Sequence, residues 1–145
     1  MGESVSRRVV GPTLVAGTLD IFSAIIYTWI AGGTAAGMLR FVGGAIWPGA
    51  KQAGLAGSAA GLALHFAIMA VMAAFFVIVA DRLPVLKTRW VIAAIAYGIG
   101  LWAVMNLIVL PARFGFHPFT AKGLAQQLFS HIVLVGLPIA WFARK

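Results

Sequence analysis

Four apolar runs, near residues 11–31, 58–80, 90–110 and 124–142, constrain this chain more than any other feature of it. Each is close to the roughly 20 residues that a helix, rising about 1.5 Å per residue, needs to cross the hydrocarbon of a bilayer. A lone strand in lipid would leave its backbone N–H and C=O groups unpaired, so each run is predicted to be a helix. Short connections make successive helices antiparallel. The predicted fold is an all-α integral membrane four-helix bundle, a single transmembrane domain over residues 1–145. Composition agrees, with 62% hydrophobic and only 10% charged residues, where a soluble domain carries about a quarter charged.

The formal net charge of +8 is spread over the ends of the apolar runs and forms no basic face with interleaved aromatics, so nucleic acid is not an expected partner. The expected partner is the lipid bilayer itself. Arg7, Arg8, Arg82, Lys87, Arg89, Arg144 and Lys145 fall on one side of the predicted topology, and Arg40, Lys51, Arg113 and Lys122 on the other. The richer side is expected to be cytoplasmic, which puts both termini and the 81–89 turn there. Arg7 and Arg8 before an apolar run resemble the start of a signal peptide. That run is longer than the usual signal core and contains Asp20, so an uncleaved first helix is expected. With no cysteine, disulfides and thiolate metal sites do not arise.

Residues 32–57 are too broken by glycine and Pro48 to span, yet too apolar for a solvated loop. A short interfacial helix over about 34–46, anchored by Trp47, is the economical reading; a re-entrant segment packed back into the bundle is the alternative. Gly57 and Gly61 form a small-xxx-small pair suited to close helix approach. Pro84 ends the second span, Pro111 is expected to end the third, and Pro138 to kink the fourth.

Asp20 lies deep in the first run, where a carboxylate is costly and needs a partner or a watery cavity. The other apolar runs offer His65, Asn106 and His131 at comparable depth. Thr13, Gly17, Asp20, Ala24 and Tyr27 share one seam of the first helix, Gly98, Trp102 and Asn106 one stripe of the third, and Gln127, His131 and Val135 one stripe of the fourth. If these faces all point inward, the four polar residues converge.

Three readings of that cluster compete. In the first, Asp20 accepts hydrogen bonds from His65 or His131, Asn106 bridges helices, and the cluster holds the bundle together, at about 0.6–1.7 kcal/mol per bond. In the second, Asp20 and a histidine form a titratable relay for a proton or ion. Burial favours the neutral forms of both groups and mutual attraction the charged forms, so the protonation state stays open. In the third, His65 and His131 ligate a haem or a metal, with copper through Met69, Met72 and Met105 as the weakest variant. The sequence assigns no cofactor. His117, beside Pro118, reads as a solvated loop residue.

No phosphate cradle, nucleophile elbow or His-Glu-x-x-His helix is present, so the chain is not expected to be an enzyme. Glycine-rich faces also suit a homo-oligomer, or an accessory subunit docked on a larger membrane complex.

The ordered set Gly17-Thr18-Leu19-Asp20-Ile21, Gly61-Leu62-Ala63-Leu64-His65-Phe66, Leu83-Pro84, Tyr97-Gly98, 104–111 and Val135-Gly136-Leu137-Pro138 resembles a family of small four-helix bacterial inner-membrane proteins, related loosely to the YagU type. The resemblance spans nearly the whole chain. It implies a bacterial inner-membrane location and, by analogy with acid tolerance in YagU-type proteins, a titratable core; it implies no activity.

Overall fold

Every long apolar run becomes a helix whose outward face is as greasy as its core. The computed structural model describes residues 4–145, and among them there is no strand. The helices are α1 (Val5–Ile30), α2 (Ala35–Gly43), α3 (Gly54–Arg82), the single turn α4 (Val85–Thr88), α5 (Trp90–Phe114) and α6 (Ala121–Ala143). Of these, α1, α3, α5 and α6 are long and apolar enough to cross a membrane. Val71, Phe75 and Ile92 stand outward with 60% or more of their surface exposed, as lipid-facing side chains do.

The four long helices alternate in direction, so the bundle has two ends. At the termini end, Arg8 grips Asp81 with two guanidinium nitrogens, Nη1 donating to Oδ1 at 2.9 Å and Nη2 to Oδ2. Lys87 Nζ donates to Asp81 Oδ1 at 2.7 Å. Arg144 sits 5.2 Å from the ring centre of Trp90 and 5.0 Å from that of Trp141. Cations there are thus tied to a carboxylate and to indoles at the ends of the apolar helices.

At the other end α2 packs against the first turns of α3. Thr34 caps α2 by accepting from Gly37 N–H at 3.0 Å, and a 3-10 turn, Pro48–Lys51, leads into α3. The helix is shorter than the expected 34–46. Gly57 and Gly61 do bring backbones together, but their partners are the Ala50 turn and α2 at Leu39 and Gly43, not another spanning helix. The segment therefore folds back onto the bundle at the level of the first turns of α3.

Packing within the bundle is uneven. Helix α1 lies against α3 and α6, and α6 also touches α3 and α5, while the backbones of α3 and α5 stay apart and the two helices meet through Tyr97 on Met72, Phe75 and Phe76. Gly98 and Gly136 bring α5 and α6 into backbone contact; a Cβ on Gly98 would fall 2.6 Å from His131 O. The glycine faces at 57, 61, 98 and 136 are closed within the chain, so they are not the exposed seams that subunit docking would use.

Helix α5 does not stop at Pro111 but continues to Phe114. Pro111 lacks an N–H and its ring would press on the carbonyl four residues back. The chain answers by widening the preceding turn: over Val104–Val109 the helix is π-helical, and Leu110 N–H reaches back five residues to Met105 O. The same happens before Pro138, where Ser130–Gly136 is π-helical and Leu137 N–H reaches Ile132 O. A Leu-Pro step follows each widened turn.

The contrast between two glycines of α5 tests this packing. Gly98→Ala is expected to lower stability by about 1–3 kcal/mol, because the clash is with backbone that cannot move aside. Gly100→Ala, whose Cβ would meet no atom within 4 Å, is expected to be neutral. Unfolding of the detergent-solubilised variants checks both.

Candidate functional site

Asp20, His65, Asn106 and His131 lie ten, eleven, eight and ten residues from the α2 end of their helices, one on each long helix. That is about 12–17 Å at 1.5 Å per residue, so all four share one level. They line a single cavity of about 170 Å³, with Gln127, Arg113 and a wall of Met69, Met72 and Met105. The four residues expected to converge are thus brought together. His117 stays outside, exposed in the loop with Nδ1 donating to Gly115 O at 3.1 Å.

His65 is fixed from α1. Its Nε2 donates to Gly17 O at 2.8 Å, since a carbonyl only accepts. Gly17 leaves room beside this bond: a Cβ there would fall 2.6 Å from the Phe66 ring, which covers the same patch of α1. The bond sets the tautomer. With Nε2 carrying the hydrogen, Nδ1 is the free nitrogen, and it lies 4.0 Å from Asp20 Oδ2. This is beyond hydrogen-bond length yet within the range of strong electrostatic coupling.

His131 is fixed in the opposite sense. Its Nδ1 donates to Gln127 O, one turn back in α6, at 2.8 Å, leaving Nε2 free. Asn106 donates from Nδ2 to Trp102 O at 3.1 Å, leaving Oδ1 uncommitted. Asp20, whose side chain is 19% exposed, accepts no hydrogen bond from the described residues. Both Asn106 and His131 stand in the π-helical turns, which place them on the cavity wall while the apolar side chains between them face outward.

Interhelix hydrogen bonds come from elsewhere. Ser23 and Ser130 join α1 to α6 at 3.0 Å, deep in the core. Tyr97 Oη donates to Met72 O at 2.7 Å and joins α5 to α3. Of the four cavity residues only His65 links two helices; Asn106 and His131 bond within their own helix. Sequence reading did not find the serine pair, whose small hydroxyls are unremarkable in composition. Nor did it find Gly17 as a carbonyl partner, although a glycine one turn before a buried carboxylate was the available signal.

Arg113 closes the cavity at the α2 end. Its Nε and Nη2 donate to Ala45 O and Gly44 O at 2.6 and 3.0 Å, just beyond the C-terminus of α2. Phe41 and Phe114 stack beside it with ring centres 4.5 Å apart.

A haem between His65 and His131 does not fit this arrangement, because the cavity of about 170 Å³ is far smaller than the macrocycle. Among the described residues no three His, Cys, Asp or Glu side chains are close enough to hold a metal ion together. The opposed ring assignments give a direct check. At alkaline pH, nitrogen NMR of labelled protein is expected to show His65 as the Nε2–H tautomer and His131 as the Nδ1–H tautomer; the same tautomer for both would contradict the geometry. Comparison of the chain with protein-family models, with curated proteins and with solved structures finds no match in any of the three.

Proposed function

We propose that this chain is a multi-pass protein of the bacterial inner membrane, with both termini cytoplasmic, whose buried cavity binds a proton shared between Asp20 and His65. The observation that carries this reading is the 4.0 Å approach of His65 Nδ1 to Asp20 Oδ2, imposed by the Gly17 carbonyl on the opposite ring nitrogen.

One proton on the pair is its charge-balanced state. With none, a lone pair faces a carboxylate inside the membrane; with two, an imidazolium stands beside a neutral acid with nothing to balance it. One proton gives either acid and neutral ring or carboxylate and imidazolium, and both are neutral overall. His131 lies on the same wall with a free Nε2, and it is the next acceptor for a proton leaving the pair.

This reading is favoured over polar glue by what the side chains do. Bundle-holding hydrogen bonds run through Ser23–Ser130, Tyr97 and the far nitrogen of His65, while Asp20, Asn106 and the near nitrogen of His65 form none between helices. The excess of Lys and Arg at the termini end supports the orientation, and the apolar helices support the location.

Infrared difference spectra across a pH titration test the proposal. Wild type is expected to show a carboxyl band changing together with an imidazole band, and Asp20→Asn to remove both changes. His65→Gln keeps an N–H for Gly17 O, so its stability should stay within about 1 kcal/mol of wild type. Its carboxyl band should titrate differently. If the Asp20 band titrates identically in wild type and His65→Gln, the shared proton does not exist.

A further inference from the structure

The cavity walls carry a pattern that a proton alone does not use. His65 and His131 each commit one nitrogen as donor to a backbone carbonyl, and Asn106 does the same with its amide nitrogen. What remains toward the cavity is Nδ1 of His65, Nε2 of His131, Oδ1 of Asn106 and the carboxylate of Asp20. Apart from the one proton placed on the Asp20–His65 pair, these atoms accept; Gln127 and Arg113 complete the wall. A ligand matched to them must therefore donate.

Size and access narrow it further. About 170 Å³ is close to the roughly 150 Å³ cavity known to take one benzene ring. Beside it runs a groove of about 710 Å³ between α3 and α5, apolar along its length and opened by the small residues Ala67, Ala96 and Gly100. Leu64, Ile68, Met72, Met105 and Val109 line both spaces, so the groove leads from the lipid to the polar cavity. The α2 end is covered by Arg113, Phe41 and Phe114.

We infer that cavity and groove form one site for a single-chain lipophile with a ring-sized hydroxylated head. The head, a hydroquinone or a phenol, donates its hydroxyls to Asp20, His65 and His131, and its apolar chain lies between α3 and α5. This extends the proton-binding reading, because the same free acceptors serve both. A phospholipid head would set a phosphate against Asp20 at depth, where like charges repel strongly. A helix from a second copy, about 10 Å across, would fill the groove but bring no donor to the cavity.

Calorimetric titration of the full chain in nanodiscs tests this with four probes: decylhydroquinone, 4-decylphenol, decylbenzene and unsubstituted hydroquinone. At least one of the two hydroxylated decyl probes is expected to bind about tenfold or more tighter than decylbenzene, as hydrogen bonds to a charged or buried acceptor would give. The tighter of the two identifies the head, with two hydroxyls or one. Gly100→Leu, whose side chain enters open space, is expected to weaken the decyl probes severalfold and to leave hydroquinone unchanged. Asp20→Asn is expected to weaken every hydroxylated probe.

Binding of decylbenzene as tight as that of both hydroxylated decyl probes would overturn the inference, since the groove would then be an unselective apolar slot. So would a Gly100→Leu variant that leaves binding intact and changes the oligomeric state, which would give the groove to a second copy. Absent probe binding with the Asp20–His65 infrared changes intact removes the ligand alone; probe binding without those changes removes the shared proton alone.

Discussion

One hydrogen bond, from His65 Nε2 to the carbonyl of Gly17, organises the cavity. It links the middle of α3 to the middle of α1, but its larger effect is on the other side of the ring. By fixing the hydrogen on Nε2 it makes Nδ1 the atom that meets Asp20. It also sits beside a residue without a side chain at position 17, where the Phe66 ring occupies the space a Cβ would take. A serine or alanine there would meet the Phe66 ring and force it to shift. Local backbone geometry, helix packing and side-chain chemistry therefore meet at one glycine.

The second constraint is the lipid, which leaves no water to repair a broken helix. Pro111 and Pro138 each remove a donor from inside a membrane-spanning helix, toward its C-terminal end. The widened turns before them keep the chain bonded by reaching back five residues. An extra residue in a turn rotates the rest of the helix about its axis, and that rotation sets the polar residue of each turn toward the cavity. It also carries Arg113 round to the carbonyls at the end of α2. Proline thus acts twice in this fold, as the cause of the irregular turns and, through them, as the reason Asn106 and His131 share a wall with Asp20.

Much of this was legible in the sequence and some was not, for separable reasons. The four helices follow from run length and the lipid constraint, and α1, α3, α5 and α6 lie where the apolar runs are. Convergence of Asp20, His65, Asn106 and His131 could be expected from helical spacing, but the π-helical turns that hold Asn106 and His131 were not part of that pattern. Reading Pro111 as a stop was the natural use of a rule drawn from regular helices; a π-helical turn escapes it by changing which carbonyl is used. The roles within the cluster were not legible either. Whether Asn106 bonds across helices or back to Trp102 depends on shifts of an ångström that spacing does not specify. The pairing of Gly57 and Gly61 with α2, and not with another spanning helix, required knowing that the 32–57 segment folds back.

The division of labour among polar groups explains how so small a bundle keeps uncommitted acceptors inside a membrane. An unpartnered polar group in hydrocarbon costs several kcal/mol, so it persists only where a cavity or a ligand takes the place of lipid. Here stability comes from groups whose bonding is complete: the Ser23–Ser130 pair, Tyr97 on Met72 O and the glycine contacts of α5 with α6. The serine pair ties α1 to α6, Tyr97 ties α5 to α3 and the glycines tie α5 to α6, while α1 packs broadly on α3. Because the α5 backbone packs closely on α6 and reaches α3 chiefly through Tyr97, the bundle is open along one side without being loosened. The opening lies beside the wall where these acceptors are left free, which makes the lipid phase the natural source of whatever binds there.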